Sequence, residues 1–176
     1  MNKEQLRNDL DTTLSELYDV YASIPVEAVN TSPFPGSWTS GQLVRHLVMA
    51  NGGCLEEING PVQETTRPIN TGVESIRNVF LDFSTKMTAP EFVVPPAIAY
   101  EKEEGLASLD EIRQGLLAGL DTLDLSKTCL LFELPVLGFL TRWEILHFVV
   151  YHTRRHIQQL KKMKESLEAG VESRML

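Results

Sequence analysis

The chain has 176 residues, of which 43% are hydrophobic and 23% charged, a composition typical of one globular domain with a sizeable core. Its formal charge of −8 argues against a general nucleic-acid or anionic-membrane binder, because both partners would repel an acidic surface. The sequence shows no apolar run of membrane-spanning length, no signal-peptide core and no cysteine pattern of a disulfide framework. We therefore expect a single domain over residues 1–176, cytoplasmic, without a nucleic-acid or membrane partner.

Helical spacing of apolar side chains predicts four long helices. They cover residues 2–22, 40–59, 108–123 and 142–168. The last three begin with a capping box, in which a Ser or Thr and a Glu or Gln three residues later each satisfy a free backbone N–H. The pairs are Thr39 with Gln42, Ser108 with Glu111, and Thr141 with Glu144. This pattern predicts an all-α protein, a four-helix bundle with little sheet.

A long crossover, residues 61–100, joins the second and third predicted helices. Its five prolines exclude a long helix, but apolar spacing predicts a short one near Val73–Phe83. Glu91–Val94, and Leu130–Leu134 in the next connection, are candidates for extended structure. Long ordered connections usually line or cover a site, or lie across a partner.

Histidine occupies two positions on the core-facing stripe of the last helix, where a hydrocarbon would pack better. His152 and His156 are four residues apart, so their rings lie about 6 Å from each other on one face. That spacing lets both bind one ion at the usual metal–nitrogen distance of about 2.0–2.1 Å. His46, on the flank of the second helix's apolar stripe, can supply a third ligand. The alternative is that these are core histidines hydrogen-bonded to their neighbours.

Two other possible ligands are placed elsewhere by helix geometry. His147 lies five residues before His152, about 140° around the helix, so it cannot share the same face. Cys54 lies two turns after His46, about 12 Å along the axis. We expect His147 to be a helix-packing or surface histidine and Cys54 to be a small core residue.

The residues around the histidines narrow the chemistry. Thr153 stands where a His-Glu-x-x-His peptidase has its general base, so a zincin-type peptidase is not expected. Gln42 and Gln159 either orient ligands and substrate or serve as capping and surface residues. The sequence leaves these two interpretations open.

Residues 35–47, Pro-Gly-Ser-Trp-Thr-Ser-Gly-Gln-Leu-Val-Arg-His-Leu, and residues 151–160, Tyr-His-Thr-Arg-Arg-His-Ile-Gln-Gln-Leu, resemble the DinB/YfiT-like superfamily of metal-binding bundles. This family is unrelated to the DNA polymerase that shares its first name. The resemblance covers nearly the whole chain and implies a four-helix bundle of up-down-down-up topology, often a homodimer. It also implies a divalent metal, variously nickel, zinc or iron, bound by the matching His46, His152 and His156. The long crossover departs from the family pattern and would reshape a substrate pocket.

Characterised members of that family include S-transferases that use low-molecular-weight thiols such as bacillithiol, and a mycothiol-dependent maleylpyruvate isomerase; others carry only a hydrolase label. The leading hypothesis is therefore a metal-dependent enzyme of the thiol-dependent S-transferase type, with a small-molecule substrate. The absence of an unambiguous general base in the sequence weakens the alternative of a metal-dependent hydrolase. A third possibility is a non-catalytic metal- or small-ligand-binding protein, such as a stress-response dimer. The apolar crossover around Phe80, Phe83 and Phe92 supports the expected homodimer.

Overall fold

The structure, a computed structural model, describes residues 2–134 and 137–172, with side chains as far as residue 169 at the C-terminal end. In these residues the α-helices are α1 (Lys3–Ala22), α2 (Ser40–Asn59), α3 (Val73–Leu81), α4 (Lys102–Thr122) and α5 (Arg142–Glu172). Two short strands, β1 (Val62–Gln63) and β2 (Thr128–Cys129), form an antiparallel pair. None of the described helices combines the length and the apolar character that crossing a membrane would require.

Ion pairs made by α1 show the directions in which α4 and α5 run relative to it. Ion pairs join α1 to α4 through Arg7–Asp121 and Asp11–Arg113, and join α1 to α5 through Asp9–Arg154 and Glu16–Lys161. Along α1, increasing residue numbers meet decreasing numbers on α4 and increasing numbers on α5. Therefore α4 runs antiparallel to α1, and α5 runs parallel to it.

Contacts of α2 complete the arrangement. Gly115 and Gly119 of α4 lie against Leu55 and Ile58 of α2, so these two helices are parallel. In contrast, Asn51 donates to Thr153 and Arg142 donates to the Ile58 carbonyl, which makes α2 and α5 antiparallel. The long helices α1, α2, α4 and α5 thus run up, down, down and up. The four-helix bundle and topology expected from the sequence are confirmed.

Capping boxes begin α2 and α5, the two helices that carry the candidate histidines, as predicted. Thr39 Oγ1 accepts from the Gln42 N–H at 3.2 Å, and Gln42 Oε1 accepts from the Thr39 N–H at 3.0 Å. At α5, Thr141 Oγ1 accepts from the Glu144 N–H at 3.1 Å, and a Glu144 carboxylate oxygen accepts from the Thr141 N–H at 2.9 Å. These caps fix where α2 and α5 begin, and therefore where their histidines lie.

The predicted start of the third long helix is wrong. The helix α4 begins at Lys102, six residues before residue 108, so Ser108 and Glu111 lie inside it. Glu101 occupies the N-cap position, and Glu103 and Glu104 lie in the first turn. Carboxylates at a helix N-terminus interact favourably with the helix dipole, which is why the acidic run begins this helix instead of preceding it.

Other predicted boundaries are correct in part. The short crossover helix is confirmed as α3, and α5 continues to Glu172, past its predicted end at residue 168. Residues Glu91–Val93 form a 3₁₀ turn after Pro90, so the extended prediction there is wrong. In the second connection the strand lies at Thr128–Cys129, whereas Leu134 makes only an isolated bridge with Gly138.

Glu144 anchors the crossover to the start of α5. Its side chain is fully buried, and its two oxygens accept from the Arg67 guanidinium at 2.6 and 2.7 Å. One of them also accepts from the Gly72 N–H at 2.6 Å. The pKa of this carboxyl is lowered, because these donors, together with the Thr141 N–H, outweigh the effect of burial. The residue that caps α5 thus also holds the crossover beside it, immediately before α3.

Candidate metal centre

Three histidines from two helices converge inside the bundle. His46 lies in the second turn of α2, whereas His152 and His156 lie one turn apart in the middle of α5. The side chains of His46 and His152 are 3% and 6% exposed, and His156 is partly buried. Because α2 and α5 are antiparallel neighbours, residues separated by more than 100 positions meet at this point.

The imidazole rings present their Nε2 atoms to one another. Nε2 of His152 lies 3.3 Å from Nε2 of His46 and 3.1 Å from Nε2 of His156. One ligand nitrogen from each ring lies within 4.8 Å of the other two. The grouping contains no carboxylate and no thiol, so all its ligand atoms are imidazole nitrogens.

Hydrogen bonds on the far side of two rings fix the proton positions. Nδ1 of His46 lies 2.8 Å from the Val93 carbonyl oxygen, and Nδ1 of His156 lies 3.0 Å from Oε1 of Gln159. Both oxygens are acceptors, so each Nδ1 donates a proton, and in the neutral ring the Nε2 lone pair is free. Two lone pairs are thereby directed at the centre of the cluster, as in histidines that bind a metal.

This arrangement fits a divalent cation. Nitrogens bound at about 2.0–2.1 Å in a tetrahedral site are separated by about 3.3–3.4 Å, close to the spacing found around His152. Without a cation, Nε2 of His152 can donate to only one of its two neighbours, and the other lone pair is left without a donor. Imidazole ligands suit zinc, nickel and iron, the metals that the family resemblance implied without distinguishing among them.

Aromatic side chains surround the cluster. Phe148 is stacked on His152 with ring centroids 5.1 Å apart, and Phe80 of α3 meets the same ring edge-on at 5.4 Å. Trp38, which precedes α2, lies against His46 at 5.3 Å. Nδ1 of His152 is buried and has no partner among the described residues, so packing rather than a hydrogen bond orients this ring. The apolar surroundings strengthen electrostatic interactions at the centre.

Burial keeps the three rings neutral at pH 7. Burial lowers the pKa of His46 below its ordinary value and lowers that of His156 to about 3. Burial lowers the pKa of His152 well below its ordinary value, and repulsion from protonated His156 and His46 adds to this effect. Neutral imidazole is the form that binds metals, so the lowered pKa values favour a bound cation over protons.

Other polar residues considered from the sequence lie outside the cluster. His147 is buried, and its Nδ1 lies 2.8 Å from the Trp143 carbonyl on its own helix. Cys54 is buried in the apolar core, and burial raises the pKa of its thiol. Gln42 serves the α2 cap, whereas Gln159 bonds to His156, so the two glutamines take different roles.

Sequence reasoning missed the side of the site that belongs to the crossover. The Val93 carbonyl carries no signal in the sequence, because every residue has a carbonyl. The stacking of Phe148 on His152 could have been found from their four-residue spacing. Phe80 was expected on an interaction surface, but it is half-buried against Phe148 and His152.

The comparison with protein families agrees with this fold and this cluster. The family model described as the DinB superfamily matches residues 7–160. The chain therefore belongs to the DinB superfamily, and the family expected from residues 35–47 and 151–160 is confirmed.

Individual relatives are distant but similar over most of their length. The protein YuaE of Bacillus subtilis (strain 168) is 24% identical over 153 residues, covering 87% of this chain and 93% of that protein. YfiT from Bacillus subtilis, described as a probable metal-dependent hydrolase with an unusual four-helix bundle topology, is 16% identical with a TM-score of 0.60, covering 94% of this chain and 87% of YfiT. TT2238, described as a four-helix bundle protein, is 17% identical with a TM-score of 0.58, covering 92% and 99%. These two structures share the fold of this chain.

Proposed function

We propose that this protein is a metal-dependent enzyme of the thiol-dependent S-transferase type. In this proposal, His46, His152 and His156 bind one divalent ion of nickel, zinc or iron, and a low-molecular-weight thiol is the co-substrate. The observation that supports it best is the convergence of three neutral imidazole Nε2 atoms without a carboxylate among them. Three neutral ligands leave the full charge of the ion uncompensated, which favours an anionic fourth ligand such as a thiolate.

The residues of the chain have separate roles in this site. The Val93 carbonyl and Gln159 Oε1 hold protons on Nδ1 of His46 and His156, so that their Nε2 atoms remain available. Phe148 and Phe80 exclude water from one face of His152. A bound divalent ion would supply Lewis acidity that favours the thiolate over a free thiol of pKa about 8.5. Gln159 is exposed, whereas Val93 and Phe148 are buried, so a small substrate is expected to approach from the side of Gln159 and His156.

Cobalt substitution tests the proposal directly. After loading with Co²⁺, addition of bacillithiol, glutathione or cysteine should produce a thiolate-to-metal absorption band. An electrophile such as monochlorobimane should then be consumed faster than in a sample treated with a chelator. A cobalt spectrum that does not respond to any of these thiols would remove the chemical basis of the transferase.

A metal-dependent hydrolase is the second candidate, and the fold shared with YfiT favours it. It makes the opposite forecast for the same sample, in which an ester or amide is cleaved with metal and the thiol has no effect. A protein that binds the metal but shows neither reaction would fit the third possibility, a non-catalytic binding protein.

We also propose that two copies of the chain associate through the crossover. Phe83 and Phe92 are 46% and 64% exposed, and Met87, Val94 and Ile98 in the same segment are also exposed. Apolar surface of this kind on one connection is typical of an interaction site. A second copy is the occupant that the family resemblance implies.

A further inference from the structure

The crossover, residues 61–100, forms one wall of the histidine cluster. It reaches the cluster twice, through the Val93 carbonyl at Nδ1 of His46 and through the Phe80 ring at His152. Val93 is only 8% exposed and lies in the 3₁₀ turn Glu91–Val93, so its carbonyl is held in position by that turn. The proton position that leaves Nε2 of His46 free is therefore stabilised by the docked crossover.

Arg155 attaches the same crossover to α5, immediately beside His156. Its guanidinium donates to the Asp82 carbonyl at 2.7 Å and to the Thr85 carbonyl, with a longer contact of 3.5 Å to the Phe80 carbonyl. These carbonyls follow or end α3, where a helix leaves carbonyls without partners. Asp82 organises this turn by accepting from Ser84 and Thr85, which lowers the pKa of its carboxyl to about 2.

We propose that ion binding and docking of the crossover are coupled, and that Arg155 is the positioning residue that connects them. The inference rests on the metal site of the proposed function. Docking supplies the Val93 carbonyl and the Phe80 ring that fix two of the three ligands. A bound ion in turn fixes His46 and His152 in the positions that the docked crossover contacts. Coupling between two equilibria is reciprocal, so each must favour the other by the same factor.

The effect of replacing Arg155 on zinc affinity distinguishes this coupling from a purely electrostatic effect. A cation next to a metal site repels the ion, so electrostatics alone predicts that Arg155→Gln binds Zn²⁺ more tightly. Loss of docking predicts the reverse, a weakening of about tenfold or more, the effect typical of losing an outer hydrogen bond to a ligand. Arg155→Lys should also weaken binding, since a lysine keeps the charge but cannot bond several carbonyls at once.

Arg154 is the matched control. It is the preceding residue on α5, but it bonds to Asp9 and Thr13 of α1 and makes no bond to the crossover. Arg154→Gln removes the same charge from the same helix and should leave zinc affinity unchanged or slightly tighter. All four proteins would be titrated with Zn²⁺ in competition with a chromophoric chelator.

Trypsin provides a readout on the crossover itself. Lys86 is exposed and is the single Lys or Arg between Arg77 and Lys102, so cleavage after it reports on this segment. Cleavage inside a docked segment requires local opening, and its rate follows the open population. Saturating Zn²⁺ should slow this cleavage about fivefold or more in the wild type, in line with ordinary coupling between sites. The same Zn²⁺ should have little effect in Arg155→Gln and none in His46→Ala.

Each outcome decides one of the two proposals. Weaker zinc binding in both Arg155 variants, with Arg154→Gln unchanged and Lys86 protected by zinc in the wild type, supports the coupling. Zinc binding that leaves cleavage at Lys86 unchanged, or that tightens in Arg155→Gln, overturns the coupling and leaves the metal site intact. A wild-type protein that binds no zinc, nickel or iron overturns the metal site, and the coupling with it.

Discussion

The three histidines of the cluster differ in what holds the nitrogen that faces away from it. A backbone carbonyl serves His46, a side-chain amide serves His156, and aromatic packing serves His152. The carbonyl at His46 belongs to the crossover, and the amide at His156 belongs to α5. The rings packed on His152 come from both of these segments. Orientation of the cluster thus depends on parts of the chain that meet only in the folded protein.

Replacing any ligand should empty the site. Each of His46→Ala, His152→Ala and His156→Ala should reduce bound metal from one ion per chain to nearly none, because two imidazoles hold an ion weakly. His147→Ala should keep the ion but lower the free energy of unfolding by about 1–3 kcal/mol, since it leaves a cavity. Elemental analysis of the purified variants measures the first effect and urea unfolding the second. Equal metal content in all four would refute the ligand assignment.

Gln159 should matter through His156 alone. Gln159→Leu removes the acceptor at Nδ1 of His156 and should weaken metal binding by about 10- to 100-fold. Gln159→Glu retains an acceptor and should restore most of the affinity. The neighbouring exposed Gln158 is the control, and Gln158→Leu should bind the metal like the wild type. A chelator competition that gave Gln158→Leu and Gln159→Leu the same affinity would show that the hydrogen bond has no role.

Buried neutral histidines make the metal-free protein sensitive to acid. Their pKa values are lowered in the fold, so below the unfolded value of about 6.5 the unfolded chain binds more protons than the folded one. Their contribution is fully present above that pH and is lost as the pH falls towards their folded pKa values. Each histidine should reduce the free energy of unfolding by as much as about 1.4 kcal/mol per pH unit. Urea unfolding between pH 7.5 and 5 measures the slope, which should be shallower in His152→Ala; a flat wild-type profile would contradict this.

For individual residues, the sequence indicated which histidines meet, because four-residue spacing places His152 and His156 on one helical face. It also placed His147 on another face. The carbonyl of Val93 and the guanidinium of Arg155 could not be predicted in their roles, since both depend on where the crossover lies. Local patterns identify residues on one element and carry little information about non-local contacts.

Among the elements, α2 and α4 make an unusually close contact. A Cβ added at Gly119 would lie 2.7 Å from Cδ1 of Ile58, which is fully buried. Gly119 belongs to α4. In contrast, a Cβ added at Gly53 of α2 would have nothing within 4 Å. The two glycines thus have opposite environments on one pair of helices.

Alanine at these two positions should therefore have opposite effects. Gly53→Ala should stabilise the protein by about 0.4–1 kcal/mol, because alanine restricts the unfolded chain and favours the helix. Gly119→Ala gains the same stabilisation from the restricted unfolded chain, but it overpacks the α2–α4 contact, which costs about 1–3 kcal/mol. We expect it to be less stable than Gly53→Ala by that amount in urea unfolding. Equal stabilisation by both would mean that Ile58 can move aside freely.

Helices were predicted from the sequence more accurately than their connections. Capping boxes at Thr39 and Thr141 placed the starts of α2 and α5 within one residue. The same Ser/Thr-x-x-Glu pattern at Ser108 was misleading, since the acidic residues before it begin the helix earlier. A capping box acts only where the chain enters a helix, and the pattern alone does not show where that occurs.

For the whole molecule, the proposed homodimer gives a clear forecast. At micromolar concentration, light scattering should give twice the 19.8 kDa mass of the chain. The double variant Phe83→Ser, Phe92→Ser should be monomeric, because it removes two large exposed apolar side chains from the crossover. Leu131→Ser, at a residue 49% exposed in the other connection, is the control and should remain dimeric. A monomeric wild type would contradict the proposal. The expectation of a single domain over residues 1–176 is independent of the dimer and stays a prediction.

The parallel contact between α1 and α5 also affects how the chain emerges during synthesis. Lys161 and Glu16 are 145 positions apart, and Arg154 and Thr13 are 141 apart. At about 5–20 residues per second, a ribosome needs roughly 7–28 s to add the roughly 140 residues between them. Throughout that interval the apolar face of α1, with Leu6, Leu10 and Leu14, lacks α5, which together with α4 packs against it in the same core. The nascent chain therefore presents an incompletely covered amphipathic helix until α5 has been made, which is the kind of surface that chaperones bind.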